Sequence, residues 1–129
     1  MITKFIIGDK KYYQHIVQTI DAATFASGNV HPVYSTFALA RDAEWCCRLF
    51  VLEMKEADEE GIGTFIKVQH QSPALVNSIV EFEAEIILQE KNSVVCKFIA
   101  KVGNRIIATG EQGQKILKKE KLNDLFNNL

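Results

Sequence analysis

The spacing of hydrophobic residues changes along the chain from a strand-like pattern to a helical one and then to alternation. Residues 11–20 are strand-like, and residues 26–29 form a loop in the irregular connection that follows. The chain then turns into a helix that Ser35 or Thr36 can cap. Helix-forming residues from 37 to about 56 predict the only long helix in the sequence.

Alternation returns after the acidic loop 56–61. Residues 62–70 alternate between two faces until Ser72 and Pro73 break the run. One face of this predicted strand carries Thr64, Ile66, Val68 and His70. The segment is therefore expected to form a strand that ends in an inward-facing histidine.

Three further segments predict long strands that follow one another. Residues 78–89 alternate apolar residues with glutamates, and residues 94–102 also carry apolar residues at every second position. Gly103-Asn104 supplies a tight hairpin turn into residues 105–117. These segments predict an antiparallel meander. Apolar residues three and four apart in the tail 119–129 predict a short terminal helix.

One long helix followed by a run of antiparallel strands indicates an α+β fold, because a sheet can bury its apolar face by wrapping the helix. One long helix wrapped by a curved antiparallel sheet is the arrangement of the hotdog fold, although periodicity alone does not separate this fold from other small α+β folds. The 129 residues suit a single domain, residues 1–129, and a content of 47% hydrophobic and 24% charged residues is that of an ordinary globular protein.

Charge, cysteine content and the length of apolar runs indicate which macromolecular partners and which compartment to expect. A formal net charge of -1 gives no electrostatic drive toward nucleic acid, so we expect no such partner. Three cysteines without a CxxC pair indicate a reduced, cytoplasmic protein. The start of the chain has no signal-peptide pattern and no stretch reaches about 18 apolar residues, so no membrane partner is expected.

A carboxylate interrupts the apolar stripe of the predicted helix. The stripe has spacings of three and four residues and consists of Phe37, Ala40, Glu44, Cys47, Val51 and Met54. A core penalises the charged form of a carboxylate, and this makes Glu44 a candidate base or nucleophile near neutral pH. The alternative is an ion pair with Arg41 or Arg48 on the same helix, and the pattern favours neither.

Two further residues are candidates for chemistry. His70 is expected to point toward the covered face of the sheet as an acid or base, although a hydrogen-bonded structural role is commoner for such a histidine. Thr36 is either the helix N-cap or a hydroxyl that meets an anion or a developing oxyanion.

The other reactive residue types have structural explanations. His15 and His31 have no recognisable partners and are expected at the surface. Cys46 and Cys47 lack a basic activator, so both are expected to pack within the helix. Trp45 is expected to pack on the sheet or at a subunit interface. The histidines and cysteines lack metal-ligand spacing, so we expect neither a metal nor another cofactor.

Two segments resemble the fluoroacetyl-CoA thioesterase family. Residues 33–47, VYSTFALARDAEWCC, are similar to that family's Val-aromatic-small-Thr run followed by Glu-Trp-Ala-Cys. Residues 61–70, GIGTFIKVQH, are similar to its Gly-Thr, apolar strand and Val-Thr-His segment, and no gap is needed between Thr36 and His70. With residues 106–110, IIATG, the resemblance covers most of the chain.

The resemblance implies an acyl-CoA thioesterase that converts a small acyl-CoA to free acid and CoA. It assigns Glu44 as nucleophile or base for water, His70 as acid or base, and Thr36 as the residue that orients Glu44 or the carbonyl. The resemblance also implies that the backbone N–H of Gly63 lies near the thioester carbonyl. The expected substrate-binding residues are Gly63, Thr64 and Tyr34.

The chain departs from the family pattern at three places. The segment before Thr36, residues 24–32, is shorter and lacks a phenylalanine-rich lid, so selectivity for fluoroacetyl-CoA does not carry over. Asn77 replaces the usual glycine, and Gln112 and Gln114 replace the usual histidine and arginine. Coenzyme A contacts made by those family residues are therefore not assigned here.

The resemblance also implies a substrate and an oligomeric state, and it leaves alternative functions open. Proteins of this kind pair as dimers with active sites at the subunit interface, so we expect an acyl-CoA substrate and a homodimer or higher homo-oligomer. The main alternative is a non-catalytic module that binds acyl-CoA or another small ligand. An enoyl-CoA hydratase would need an Asp-x-x-x-x-His arrangement, which Asp42 and His70 are too far apart to form. A purely structural subunit would leave Glu44 unexplained.

Overall fold

The computed structural model describes the backbone of residues 1–25 and 28–129, and the side chains of the same residues except 24, 25 and 28–30. These described residues form seven strands and two α-helices, with a short 3-10 helix at Thr19–Asp21. The strands are β1 (Lys10–Ile16), β2 (Ala22–Phe25), β3 (Gly28–Tyr34), β4 (Glu59–His70), β5 (Ile79–Glu90), β6 (Ser93–Val102) and β7 (Arg105–Lys118); the helices are α1 (Thr36–Met54) and α2 (Lys119–Asn127).

Five strands form one antiparallel sheet in the order β1-β5-β6-β7-β4. Strands β2 and β3 pair separately with each other. The large sheet is curved, and the long helix α1 packs on it. The predicted α+β architecture, with one long helix wrapped by antiparallel strands, is confirmed. Within this sheet β1 and β4 are the edge strands, and β4 belongs to the site described below.

The core lies between α1 and the inward side chains of the sheet. Nine helix residues are buried, among them Phe50 and Met54, and the sheet supplies Phe82 and Phe98 from neighbouring strands. Burying each such side chain contributes roughly 1.5–3 kcal/mol. The helix is therefore held on the sheet by apolar contact along most of its length, and the position of its side chains follows from that packing.

The first part of the chain differs from the sequence prediction. The predicted strand 11–20 ends at Ile16, because the Asp21 carboxylate accepts a bond from the Gln18 backbone and folds residues 19–21 into a 3-10 turn. The predicted irregular connection contains the β2–β3 hairpin instead, and the predicted loop 26–29 lies partly in β3. Residues 26 and 27 lie outside the described residues.

The helix begins and ends close to the predicted positions. Ser35 is its N-cap, with the Ser35 Oγ accepting a bond from the Ala38 N–H at 3.0 Å, so the suggestion that Thr36 is the cap is wrong. The helix ends at Met54 rather than near residue 56. The capping role of Ser35 leaves the Thr36 hydroxyl available for another partner.

Strand β4 begins three residues earlier than predicted and contains an irregularity. Its pairing with β7 shifts register between Gly63 and Phe65. Gly63 faces the helix, whereas Thr64 lies with Phe65 against Gly113 of β7. The prediction that Thr64 shares a face with Ile66 is therefore wrong, because the bulge interrupts the alternation.

The predicted meander of β5, β6 and β7 and the terminal helix α2 are confirmed. Val80, Phe82, Ala84 and Ile86 are buried as the alternation predicts. Leu88 is exposed instead, because the register of β5 against β6 shifts between Ile86 and Leu88. Asn77, at the position where a glycine was expected, has φ 78°, a left-handed conformation that asparagine tolerates better than most residues.

Candidate active site

An open groove lies between the outer face of α1 and the edge strand β4. It has a volume of about 730 Å³ and is lined by Tyr13, Phe37, Ala40, Arg41, Asp42, Glu44, Trp45, Arg48 and Ile66. Most of the lining surface is apolar or aromatic. Phe37 is 84% exposed on this face, so the predicted core-facing stripe is wrong in its first half and correct from Cys47 onward. Trp45, expected on the sheet or at an interface, also lies exposed here.

Glu44 is half-buried at the boundary between the groove and the sheet. The arginines that might neutralise it are engaged elsewhere. Arg41 bonds Asp21 and Asp42, and Arg48 bonds Glu60 at 2.8 Å. The ion-pair alternative for Glu44 is therefore wrong. Among the described residues no side chain forms an ion pair or hydrogen bond with its carboxylate.

The carboxylate of Glu44 lies against the backbone of Gly63. A side-chain carbon on Gly63 would stand 3.0 Å from Glu44 Oε1, tighter than nine in ten real contacts of that kind. The absence of a side chain at Gly63 therefore leaves room for the Glu44 carboxylate against β4. The structure thus brings two of the predicted site residues together, a carboxylate and a backbone position next to it.

Thr36 and His70 form the second contact of the site. The Thr36 Oγ1 lies 2.9 Å from His70 Nδ1, which joins the first turn of α1 to the last residue of β4. His70 Nε2 is buried and has no partner among the described residues. Burial lowers the pKa of His70 below its ordinary 6.5, and the nearby Ser72 backbone offsets part of that effect. The imidazole is therefore mainly neutral at pH 7.

Glu44 and His70 form no hydrogen bond or ion pair with each other within one chain. Both are described residues, and no Glu44 oxygen lies within the 4.0 Å of a His70 ring nitrogen that would define an ion pair. The structure therefore presents two half-sites along β4, Glu44 with Gly63 and His70 with Thr36.

A buried polar cluster holds the start of α1. Tyr34 donates a short hydrogen bond to Asp42, and Arg41 bonds Asp42 and Asp21 at 3.0 and 2.9 Å. His15 Nε2 lies 2.7 Å from Asp21, so the expectation of a surface role for His15 is wrong, whereas His31 is exposed as expected. Burial raises the pKa of Tyr34, and the hydrogen bond to Asp42 raises it further, so the hydroxyl stays protonated.

The remaining expected substrate-binding residues lie elsewhere. Tyr34 is buried in the polar cluster just described. Thr64 lines a second groove of about 410 Å³ with residues of β5, β6 and β7 rather than the groove that contains Glu44. Of the three residues, only Gly63 contacts a predicted catalytic residue.

Two buried glutamines were not predicted. Gln112 and Gln114 occupy inward positions of β7 behind Glu44, and they bond each other at 3.0 Å. A glutamine at every second position of a buried strand was the available signal, because such positions are normally apolar.

For the residues that the structure describes, the cysteines, the possible metal ligands and the hydropathy of the helices add little to the chemistry of the site. Cys46, Cys47 and Cys96 are buried and free, and burial raises the pKa of Cys46 to about 12, so the expected packing role is supported by their surroundings. In the described part of the chain, no group of three or more histidine, cysteine, aspartate or glutamate residues could hold a metal ion. No helix in residues 1–25 and 28–129 is long and apolar enough to cross a membrane.

The family comparison and the fold together identify a hotdog-fold thioesterase. Residues 17–120 match the family model described as FlK, fluoroacetyl-CoA-specific thioesterase. The chain therefore belongs to this family, and it is a thioester hydrolase by class. A comparison with curated proteins gave no match.

Solved structures support the same fold. A hypothetical protein of Thermus thermophilus, described as a thioesterase superfamily member, has 29% identity and a TM-score of 0.93 over 98% of this chain and 94% of its own. The fluoroacetyl-CoA thioesterase FlK has 20% identity and a TM-score of 0.87 over 96% of each chain. A hot-dog-like protein of Thermanaerovibrio acidaminovorans has 18% identity and a TM-score of 0.87 over 96% and 92%. The predicted hotdog fold is confirmed.

We predict that His70 titrates with a midpoint below 6.5, because burial penalises the imidazolium. A ¹⁵N NMR titration of the imidazole rings measures this midpoint, and the His70→Gln variant identifies the resonance. Since the folded pKa is lowered, the stability linked to neutral His70 is present above the unfolded pKa and is lost as the pH falls through the folded one. A midpoint at or above 6.5 would contradict the prediction.

Proposed function

We propose that this protein hydrolyses a small acyl-CoA to the free acid and CoA, with Glu44, His70 and Thr36 at the site. The observation that carries the proposal is the Glu44 carboxylate, half-buried and unpaired beside the backbone of Gly63. An unpaired carboxylate in a mainly apolar groove has no structural role that explains its place. It is available to attack a thioester or to activate water.

The proposed reaction has two alternative routes that use the same groups. In one, Glu44 takes a proton from water, the resulting hydroxide attacks the thioester carbon, and the C–S bond breaks to give the free acid and the thiolate of CoA, which receives the proton of Glu44 through His70. In the other, Glu44 attacks the thioester carbon, the thiolate leaves, and water hydrolyses the resulting anhydride to release the acid and restore Glu44, while His70 passes a proton of that water to the thiolate. The imidazole of His70 is neutral at pH 7 and can therefore accept this proton, and the Thr36 hydroxyl at 2.9 Å holds its ring. The Gly63 N–H is the proposed donor to the oxyanion.

The substrate class rests on family membership and on the groove. A variant of FlK has been solved in complex with acetyl-CoA. Here the groove beside Glu44 has Phe37, Trp45 and Ile66 on its walls, which suits a short apolar acyl group. The segment 24–32, expected to differ from the family's lid, includes residues outside the described part, and we assign no selectivity for fluoroacetate to it.

We further propose that the protein acts as a homodimer paired through β4. Six consecutive residues of this edge strand, 62–67, are exposed, although Ile62, Phe65 and Ile66 are large and apolar. The other edge strand, β1, alternates between exposed and half-buried residues instead. An exposed apolar edge strand is a template for pairing with another chain.

Pairing through β4 would also complete the site. In an antiparallel pair, partner residues have a constant sum of residue numbers. If the two-fold axis lies between Ile66 and Lys67, Gly63 of one copy is opposite His70 of the second. Glu44 of one copy would then lie near the Thr36–His70 pair of the other, and the two half-sites would form two complete ones.

Two further expectations stay proposals. We propose that residues 1–129 act as a single catalytic domain, since one core joins α1 to all five strands of the large sheet. We also propose a cytoplasmic location, which the three free, buried thiols favour.

The second candidate function is a non-catalytic acyl-CoA binding module, favoured by the separation of Glu44 from His70 within one chain.

We predict that Glu44→Gln and His70→Ala each lower kcat/KM by about 100-fold or more, the lower range for loss of a positioned catalytic group. The measurement is thiol release from a panel of short, medium, branched and aromatic acyl-CoAs. Thr36→Val should lower turnover less, because it removes only the partner of the imidazole.

The matched control is Glu53→Gln, which changes a carboxylate on the same helix that pairs with Lys4 and Lys11 at the surface. It should leave turnover unchanged. Full activity of Glu44→Gln would sink the proposed mechanism. Tight binding of acyl-CoA without thiol release by the unmodified protein would favour the binding module.

We predict that the protein has about twice the chain mass of 14.6 kDa in solution and that Ile66→Asp converts it to a monomer. A buried aspartate at the centre of the paired strands would lack a partner. Light scattering after size exclusion measures both masses. Ile79→Asp, at an exposed isoleucine of β5, is the control and should remain dimeric. A monomeric unmodified protein at micromolar concentration would contradict the proposed pairing.

A further inference from the structure

Two glutamines lie inside the protein directly behind the candidate carboxylate. Gln112 is 0% exposed and Gln114 is 3% exposed, on the inward face of β7 next to β4. A buried carboxamide without its hydrogen bonds is costly, so each of its polar atoms should have a partner. The partners of these two side chains therefore indicate what the pair does.

The first glutamine is held in one orientation by the second. Gln114 Nε2 donates to Gln112 Oε1 at 3.0 Å. Because the oxygen of Gln112 is engaged there, its Nε2 must point to the other side of the carboxamide. That nitrogen is buried and has no partner among the described residues. The Nε2 of Gln112 therefore carries two N–H groups that form no hydrogen bond among the described residues.

The place it faces is the space beside Gly63. A side-chain carbon on Gly63 would lie 3.8 Å from Gln112 Nε2 and 3.0 Å from Glu44 Oε1. The unused donor and the unpaired carboxylate oxygen therefore border the same small volume. The absence of a side chain on Gly63 is what leaves this volume open.

We propose that Gln112 is a positioning residue that donates a hydrogen bond to the Glu44 carboxylate, across one water molecule or after a small rotation of Glu44, and that Gln114 orients it. The proposal rests on the proposed function, because it takes Glu44 as the reactive carboxylate. Hydrogen bonds to a charged acceptor are roughly twice as strong as neutral ones, and this one would fix a single rotamer of Glu44.

A neutral donor suits this position better than a cation. Arg41 and Arg48 stand near Glu44 on the same helix but bond other carboxylates. A paired arginine would strongly favour the charged carboxylate and weaken it as a base, whereas an amide orients it with a smaller effect. Gln112 can therefore hold Glu44 in place and leave it reactive.

A double-mutant cycle tests the coupling. Gln112→Met removes the N–H donor at nearly constant side-chain length, and it should lower kcat about tenfold with KM unchanged, a fall expected for loss of a bond to a charged group. In the Glu44→Gln background the same change should have no further effect. An equal loss in both backgrounds would overturn the proposal, because Gln112 would then act independently of Glu44.

Two variants keep this cycle interpretable. Gln114→Met frees the carboxamide of Gln112 and should reproduce the loss in smaller measure, again only when Glu44 is present; it decides the question if Gln112→Met does not fold. Gln89→Met is the matched control, because Gln89 on β5 is a part-buried glutamine whose Oε1 also lacks a partner. It should leave kcat unchanged.

An NMR measurement separates this proposal from the proposed function. The side-chain ¹H–¹⁵N resonances of Gln112, identified by their loss in Gln112→Met, should move in Glu44→Gln and stay in place in Glu53→Gln. Movement without turnover on any acyl-CoA would uphold the contact and defeat the proposed function. Turnover with resonances that ignore Glu44→Gln would overturn the contact and leave the proposed function standing.

Discussion

The close approach of helix α1 to strand β4 is the constraint on which the rest of the site depends. Strand β4 carries glycine at 61 and 63, where side-chain carbons would lie 2.5 Å from Val51 Cγ1 and 3.0 Å from Glu44 Oε1. A larger residue at Gly61 would have to displace the Val51 side chain from its packed position in the core, and one at Gly63 would displace the Glu44 carboxylate itself. The two glycines therefore set where the carboxylate stands.

The start of the helix is fixed by a different set of interactions. Ser35 caps the helix, and Arg41 ties it to Asp21 and Asp42, two buried carboxylates. The Arg41 side chain is half-exposed, but its two partners are buried, so loss of the arginine would leave two buried carboxylates without their cation. The result at the surface is a Thr36 hydroxyl that is free of the capping role and directed to His70. Helix capping and ion pairing thus position the Thr36–His70 half-site, and the packing at the two glycines positions the Glu44–Gly63 half-site.

The sequence predicts the meander and the long helix well, because alternation and helical spacing are local properties of the chain. It assigns Phe37 and Leu88 to the wrong environment, since helix coverage and the position of a bulge depend on the whole sheet. Glu44 is found because a carboxylate is unusual on an apolar stripe. The alternating glutamines of β7 are a sequence signal for Gln112, but its unused donor is visible only in three dimensions. The separation of the two half-sites is also not predictable from the sequence, because residue spacing does not give the distance between Glu44 and His70.

The most direct test of the central claim is a crystal structure of the protein with a non-hydrolysable acetyl-CoA analogue, in which a methylene group replaces the thioester sulfur. The account predicts that the carbonyl carbon lies about 3–3.5 Å from the Glu44 carboxylate or from a water bound to it, with the carbonyl oxygen toward the Gly63 N–H. An acyl group bound away from Glu44, for example in the groove beside Thr64, would contradict it.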